Sequence, residues 1–282
     1  MILYLQVVMP INFIIRETLL EDTGQKLCFS ALSIRQKGVT QMSKTQKATQ
    51  SSEKELVAEI RKLAQTQGLN HVFTTFLEIM ATSFSAETDP YLSQERNRRY
   101  EELLTGMEPK DVSSYARMCA LMALAVHESW DAPYDILGSI YHELQLNNKW
   151  NGQFFSPDNI CRMIAMIVDP TDEEKVKQNE TVTINEPACG SGVMILGTVW
   201  AMKQKHFDYQ HKTLFIAQDI DIRCVWMAYI QLSLYQIPAV VIHGNTLTLE
   251  EWSRWYTPYA VALRKAGQEV VKREESEEMR AL

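Results

Sequence analysis

The feature that most constrains this fold is an ordered change of hydrophobic period that begins at Thr181. Thr181-Val182-Thr183-Ile184 alternates as a strand does, Asn185-Glu186-Pro187-Ala188-Cys189-Gly190-Ser191-Gly192 breaks the pattern with two glycines, and an apolar helical run starts at Val193. The spacing then predicts a helix over 193–205, a strand from Leu214 to Gln218, a helix from Arg223 to Tyr235 and a strand from Ala239 to His243. Strands that alternate with helices in this way form a parallel sheet covered by helices, with ligands at the carboxyl ends of the strands. The glycine turn after the first strand suits such a ligand. Gly190 and Gly192 can adopt positive φ and allow close backbone approach, and the following helix offers unpaired N–H groups to polar or anionic atoms. About thirty residues past the turn, Asp219 ends the second strand, where an acidic side chain can accept both hydroxyl hydrogens of a ribose.

Upstream of residue 151 the periods are helical. Leu56, Val57, Ile60 and Leu63 recur at helical spacing, His71 to Phe84 is largely apolar, and Ser93 to Leu104 is charged. A further run opens at Pro109 and continues through Ala125, and Tyr134 to Leu144 adds another. These patterns predict a helical domain over 42–150, an α/β domain over 151–250 and a charged tail over 251–282. Residues 1–41 form an extension of uncertain standing. Its apolar stretch from Met1 to Ile15 is too short and too broken by Gln6, Pro10 and Asn12 to span a membrane. The natural start is read at Met1 or at Met42, and the polar run after Met42 favours the second.

Charge and cysteine usage narrow the partners. A net charge of -7 argues against a broad basic surface for nucleic acid, so contact with DNA would need a local patch or a partner. Cys28, Cys119, Cys161, Cys189 and Cys224 lack a C-x-x-C pair or a nearby histidine cluster, which suits a reducing cytoplasm and suggests neither zinc nor disulfides. Cys189 reads as a small side chain packed beneath the turn, with a reactive thiol as the lesser reading.

The full octapeptide carries a resemblance that the bare Gly-x-Gly pattern does not. It is similar to the S-adenosylmethionine loop of N6-adenine DNA methyltransferases, above all the modification subunits of type I restriction systems, which read Asp-Pro-Ala-Cys-Gly-Ser-Gly. Glu186 replaces the aspartate and keeps the carboxylate. Gly152-Gln153-Phe154-Phe155-Ser156-Pro157 resembles that family's Gly-Glu/Gln-Phe-Phe-Thr-Pro element, Ala217-Gln218-Asp219 its Gly-Gln-Glu, and Gly244-Asn245-Thr246-Leu247 its Gly-Asp-Thr/Ser-Leu. The resemblance implies a Rossmann-like α/β methyltransferase fold, an incomplete parallel sheet with flanking helices behind an all-helical N-terminal region. It implies S-adenosylmethionine as cofactor, with Phe155, Ser156 and Pro157 at its methionine end. Glu186, Pro187, Ala188, Gly190, Ser191 and Gly192 would surround it, Asp219 would hold the ribose and Asn245 the adenine amino group. From the residues alone, Phe154 and Phe155 are also explained as core before a helix, Asp221 as a helix cap, Asn245 as an Asx turn and His243 as a satisfied strand-end histidine.

The resemblance stops at Leu247. In that family, methylation depends on an Asn/Asp/Ser-Pro-Pro-Tyr/Phe/Trp string soon after the third strand, which directs the exocyclic amine at the methyl group and stacks on the flipped base. From Leu247 to Leu282 no such string occurs. The nearest fragment, Tyr256-Thr257-Pro258-Tyr259, reads as a turn between helices, with Trp252, Trp255, Tyr256 and Tyr259 burying against the sheet edge or meeting a partner. The expectation is therefore a chain truncated after its third core strand. Two functions stay open beside that of a decayed fragment. One is an adenine-N6 DNA methyltransferase of the modification-subunit kind, reaching DNA through a partner specificity subunit and other restriction-modification subunits, with no membrane. The other is a non-catalytic relative that binds S-adenosylmethionine and regulates or counters a restriction-modification system.

Overall fold

The computed structural model describes residues 42–146, 156–168, 171 and 181–265, with side chains from Ser52 onward. Six helices come first: α1 (Met42–Gln67), α2 (Leu69–Thr88), α3 (Ser93–Leu104), α4 (Pro109–Glu128), α5 (Ile136–Glu143) and α6 (Asp158–Val168). The sheet region follows as β1 (Val182–Glu186), α7 (Val193–Gln204), α8 (Tyr209–Lys212), β2 (Thr213–Asp219), α9 (Ile222–Leu234), β3 (Ala239–Asn245), β4 (Glu250–Tyr256) and α10 (Pro258–Lys265).

Local chemistry sets the boundaries of the helical layer. α1 stops at Gln67 because Gly68 takes φ of 83°, a left-handed value that glycine adopts without a Cβ clash. Pro109 opens α4, where its missing N–H costs no helical bond. α2 buries twelve of its residues and packs against α1, α3 and α9, whereas charged α3 buries none and covers α2 from the solvent side. Leu56, Val57, Ile60 and Leu63 all face the core, as their spacing predicts.

The sheet order is β1-β2-β3-β4, with β1, β2 and β3 parallel. β2 and β3 are almost continuously buried, the pattern of strands covered on both faces. β1 is half exposed, and among the described residues β2 is its one pairing partner. One large core cluster runs from Leu56 of α1 through α2, α4, α7 and α9 to Phe215, Val241 and Trp255 of the sheet. A smaller cluster on the other face joins Leu214, Val240 and Ile242 to Tyr256, Ala260 and Val261.

The region after Leu247 corrects two expectations. The sheet does not end at the third strand, because Glu250–Tyr256 forms β4 and pairs antiparallel with β3. Tyr256-Thr257-Pro258-Tyr259 therefore joins a strand to a helix, where the sequence suggested a turn between helices. Thr257 makes the junction: it is fully buried, its hydroxyl accepts from the Ala239 N–H at 2.9 Å, and it donates to the Ile237 carbonyl at 2.8 Å. Trp255 and Tyr256 bury as expected, while Trp252 remains half exposed. Among the described residues no helix is long and apolar enough to cross a membrane.

Candidate functional site

The glycine turn forms where β1 gives way to α7. Gly190 has φ of 55° and Gly192 φ of 96°, so both occupy the left-handed region that their lack of a side chain makes inexpensive. The Gly192 N–H donates to the Cys189 carbonyl at 2.8 Å, and the Cys189 N–H reaches across to the Gln218 carbonyl of β2 at 2.8 Å. A Cβ on Gly192 would touch that of Ala228 at 3.4 Å, so the turn lies close against α9. Gly192 is the N-cap of α7 and supplies no side-chain hydrogen bond, unlike Asp135 on α5 and Asp221 on α9. The first amides of α7 are thus left to a ligand or to water.

Asp219 closes the turn onto the tip of β2. One carboxylate oxygen accepts from the Gly190 N–H at 2.9 Å and the other from the Asp221 N–H at 2.9 Å. The Ile220 backbone also bonds to it, and since a carboxylate has about four lone-pair sites, room for a hydroxyl donor remains. Burial pushes the Asp219 carboxyl above its ordinary value, and its backbone donors partly offset this. Asp221 does what a helix cap does, accepting from the Arg223 N–H at 2.9 Å and pairing with the Arg223 guanidinium at 2.7 Å.

Around this pair the other expected residues are placed as follows. Glu186 accepts from the Ala188 N–H at 3.3 Å, and Pro187 and Ala188 are exposed at the rim. The Pro187 carbonyl accepts from the Thr246 hydroxyl at 2.6 Å, which ties the loop after β3 to the turn after β1. Asn245 uses its side-chain oxygen to accept from the Leu247 N–H at 3.0 Å, an Asx turn that accounts for it without a ligand. Ser156 and Pro157 are exposed just ahead of α6, and Phe155 lies outside the described residues, as do residues 152–154. α6 crosses α7 closely because Gly197 has no side chain to hold it off: a Cβ there would meet the Cys161 backbone at 3.1 Å. Burial pushes the Cys161 thiol up to about 11, the charges of Asp158, Asp135 and Glu186 adding to this, while a bond from Ser156 acts the other way.

Ser191 turns inward. It is fully buried, and its hydroxyl donates to Asp135 in a short contact. Asp135 also accepts from the Gly138 N–H at 2.8 Å and the Gln231 side-chain amide at 2.9 Å. Gln231 in turn donates to the Ser191 carbonyl at 2.8 Å and accepts from the Leu137 N–H at 3.1 Å. Burial raises the Asp135 carboxyl, and the three donors offset the cost. The sequence analysis missed Asp135 and Gln231. An aspartate before the apolar run at Ile136 is a helix-start signal, and Gln231 is an isolated polar residue in an apolar helix; neither signal reveals that the two meet the glycine turn.

Cys189 packs beneath the turn at 3 % exposure, and burial pushes its thiol well above the ordinary value, which removes it as a nucleophile. Tyr256-Thr257-Pro258-Tyr259 lies at the amino end of β3, since Tyr256 pairs with Val240. Asp219, which the glycine turn meets, is level with His243, three residues or about 10 Å further along β3, and stands two strands away from β4. The fragment is a structural joint and takes no part in the site.

No curated protein matches the chain. Residues 132–266 match the family model described as N-6 DNA Methylase, a span that takes in the Asp135 cap, the glycine turn, Asp219 and all four strands. Through that segment the chain is similar to the N-6 DNA methylase family.

Proposed function

We propose that the chain binds S-adenosylmethionine at the carboxyl ends of β1, β2 and β3 and is of the type I modification-subunit kind, acting on adenine N6 in DNA. The observation that carries this reading is the bond from Gly190 to Asp219. It joins a glycine turn with an uncapped helix start to an acidic strand tip, the two elements an adenosine-containing ligand needs. The donor set fits the cofactor: Asp219 has room left for a ribose hydroxyl, and Gly190 and Gly192 let the ligand approach the backbone. Ser156, exposed just ahead of α6, is the hydroxyl for the methionine carboxylate. When bound, the cofactor supplies an electrophilic methyl group on sulfonium sulfur. The chain's own residues hold the nucleoside end and shape the crevice, with Ser191 as a positioning residue.

A second reading rests on a separate observation. No acceptor string for the adenine amine occurs in the 282 residues, and the one fragment that resembles it sits at the wrong end of the sheet. This favours a non-catalytic cofactor-binding relative that regulates or counters a restriction-modification system. On the first reading the net charge of -7 means that contact with DNA would come through a specificity subunit.

Calorimetry with S-adenosylmethionine tests the cofactor site. Binding is expected, and Asp219→Ala should weaken it by about tenfold to a hundredfold, the worth of hydrogen bonds to a charged acceptor. No heat at millimolar ligand would overturn both readings. Transfer of tritiated methyl to unmethylated DNA, by the chain alone and with co-encoded proteins, then separates them. Incorporation supports the first, and binding without incorporation in either mixture supports the second.

A further inference from the structure

Trp252 is the extra residue of an irregularity in the β3–β4 ladder. His243 pairs with Ser253 and Gly244 with Glu251, so Trp252 has no cross-strand partner. A bulged residue is re-aimed by the added local twist, and such bulges gather beside binding sites. Here the indole meets the His243 ring edge-on, the centroids 4.8 Å apart and the planes at 75°. The glycine opposite makes this geometry possible. A Cβ on Gly244 would lie 2.2 Å from the Glu250 carbonyl oxygen and 2.9 Å from the Gln218 side-chain nitrogen, so β4 could not close on β3 at this point with any other residue.

Asp219 lies on β2, the strand on the other side of β3. His243 is its partner in the β2–β3 ladder, and the His243 ring also bonds to the Ile220 backbone. Asp219, His243 and Ser253 therefore lie side by side on three neighbouring strands, a span of about 10 Å, and the indole leaning onto His243 covers the last step. Two large apolar side chains stay open at this rim, Ile220 at 59 % and Trp252 at 51 % exposure. Packing does not require the exposure. Trp255, on the same strand, is 2 % exposed and fills the core.

We propose that Trp252, braced by His243, is the wall on which the adenine ring of the cofactor stacks. The inference rests on the cofactor reading and adds a residue to it. A purine is one glycosidic bond from the ribose that Asp219 would hold, and it needs a flat apolar face that an exposed indole supplies. Ile220 bounds the crevice on the β2 side, and the neutral imidazole behind the indole fixes its angle.

Titration with S-adenosylmethionine and with free adenosine tests the wall, with binding read by calorimetry and by tryptophan fluorescence. Trp252→Ala should lose about tenfold in affinity for both ligands and Trp252→Phe about threefold or less, since a phenyl ring still stacks. Adenosine should quench the fluorescence of the wild type and leave that of Trp252→Phe nearly unchanged. Thermal melts of both variants check that the half-exposed position tolerates the change. If wild type binds, Asp219→Ala weakens binding and Trp252→Ala binds as wild type does, the wall is overturned and the cofactor site stands. A wild type that binds neither ligand overturns both.

Discussion

The Asp219 carboxylate joins segments that are 29 residues apart, taking the Gly190 N–H on one oxygen and the Asp221 N–H on the other. Its protonation has a measurable consequence. Burial raises its folded-state value above the ordinary 3.8, so the folded chain keeps this proton to higher pH than the unfolded chain does. Wherever the folded state binds more protons, unfolding free energy falls as pH rises. Asp219→Asn has no such proton, so the stability of the wild type relative to this variant should decline as pH rises above about 4, read as urea midpoints. A difference that stayed level or grew would show that the backbone donors outweigh burial. Asp219 and the two glycines were legible because each obeys a local rule, a strand-tip carboxylate or a left-handed turn. The inward turn of Ser191 was not, because its partners Asp135 and Gln231 lie 56 and 40 residues away.

Three elements meet at Asp135: the start of α5, which it caps, the glycine turn through Ser191, and α9 through Gln231. The arrangement fixes where the turn sits against the helical layer. Ser191→Ala should cost about 1–3 kcal/mol in urea unfolding, because it leaves a buried carboxylate one donor short. Combined with Gln231→Leu, the two changes should deviate from additivity by about 0.5 kcal/mol or more, since they share Asp135. Strict additivity would mean that the hydroxyl and the amide act independently. Most helices and the three parallel strands were legible to within a few residues from period and caps, but α1 begins at Met42, well ahead of its apolar period, and the one-turn α8 had no signal. β4 was hidden because four of its seven residues, Glu250, Glu251, Ser253 and Arg254, are polar, and only Trp255 and Tyr256 bury against the sheet. An edge strand of this kind lacks the continuous apolar run that identified β2 and β3.

At the scale of the whole molecule, one apolar cluster spans the helical layer and the sheet, from Leu56 to Trp255. Unfolding should therefore be a single transition, with far-ultraviolet circular dichroism and tryptophan fluorescence giving the same midpoint in urea. Two separated midpoints would show that α1 to α4 and the sheet fold independently. The sequence by itself determined the alternation of strand and helix, the left-handed glycine turn and the acidic strand tip, because each depends on residues adjacent in the chain. It also determined that no Asn-Pro-Pro-Phe-like acceptor string is present. The tertiary structure alone decided that Ser191 faces a buried carboxylate, that Tyr256-Thr257-Pro258-Tyr259 lies at the far end of β3 from the site, and that a bulge brings Trp252 to its rim. Each of these depends on pairing between segments far apart in the chain, where register and packing set direction and local pattern is silent.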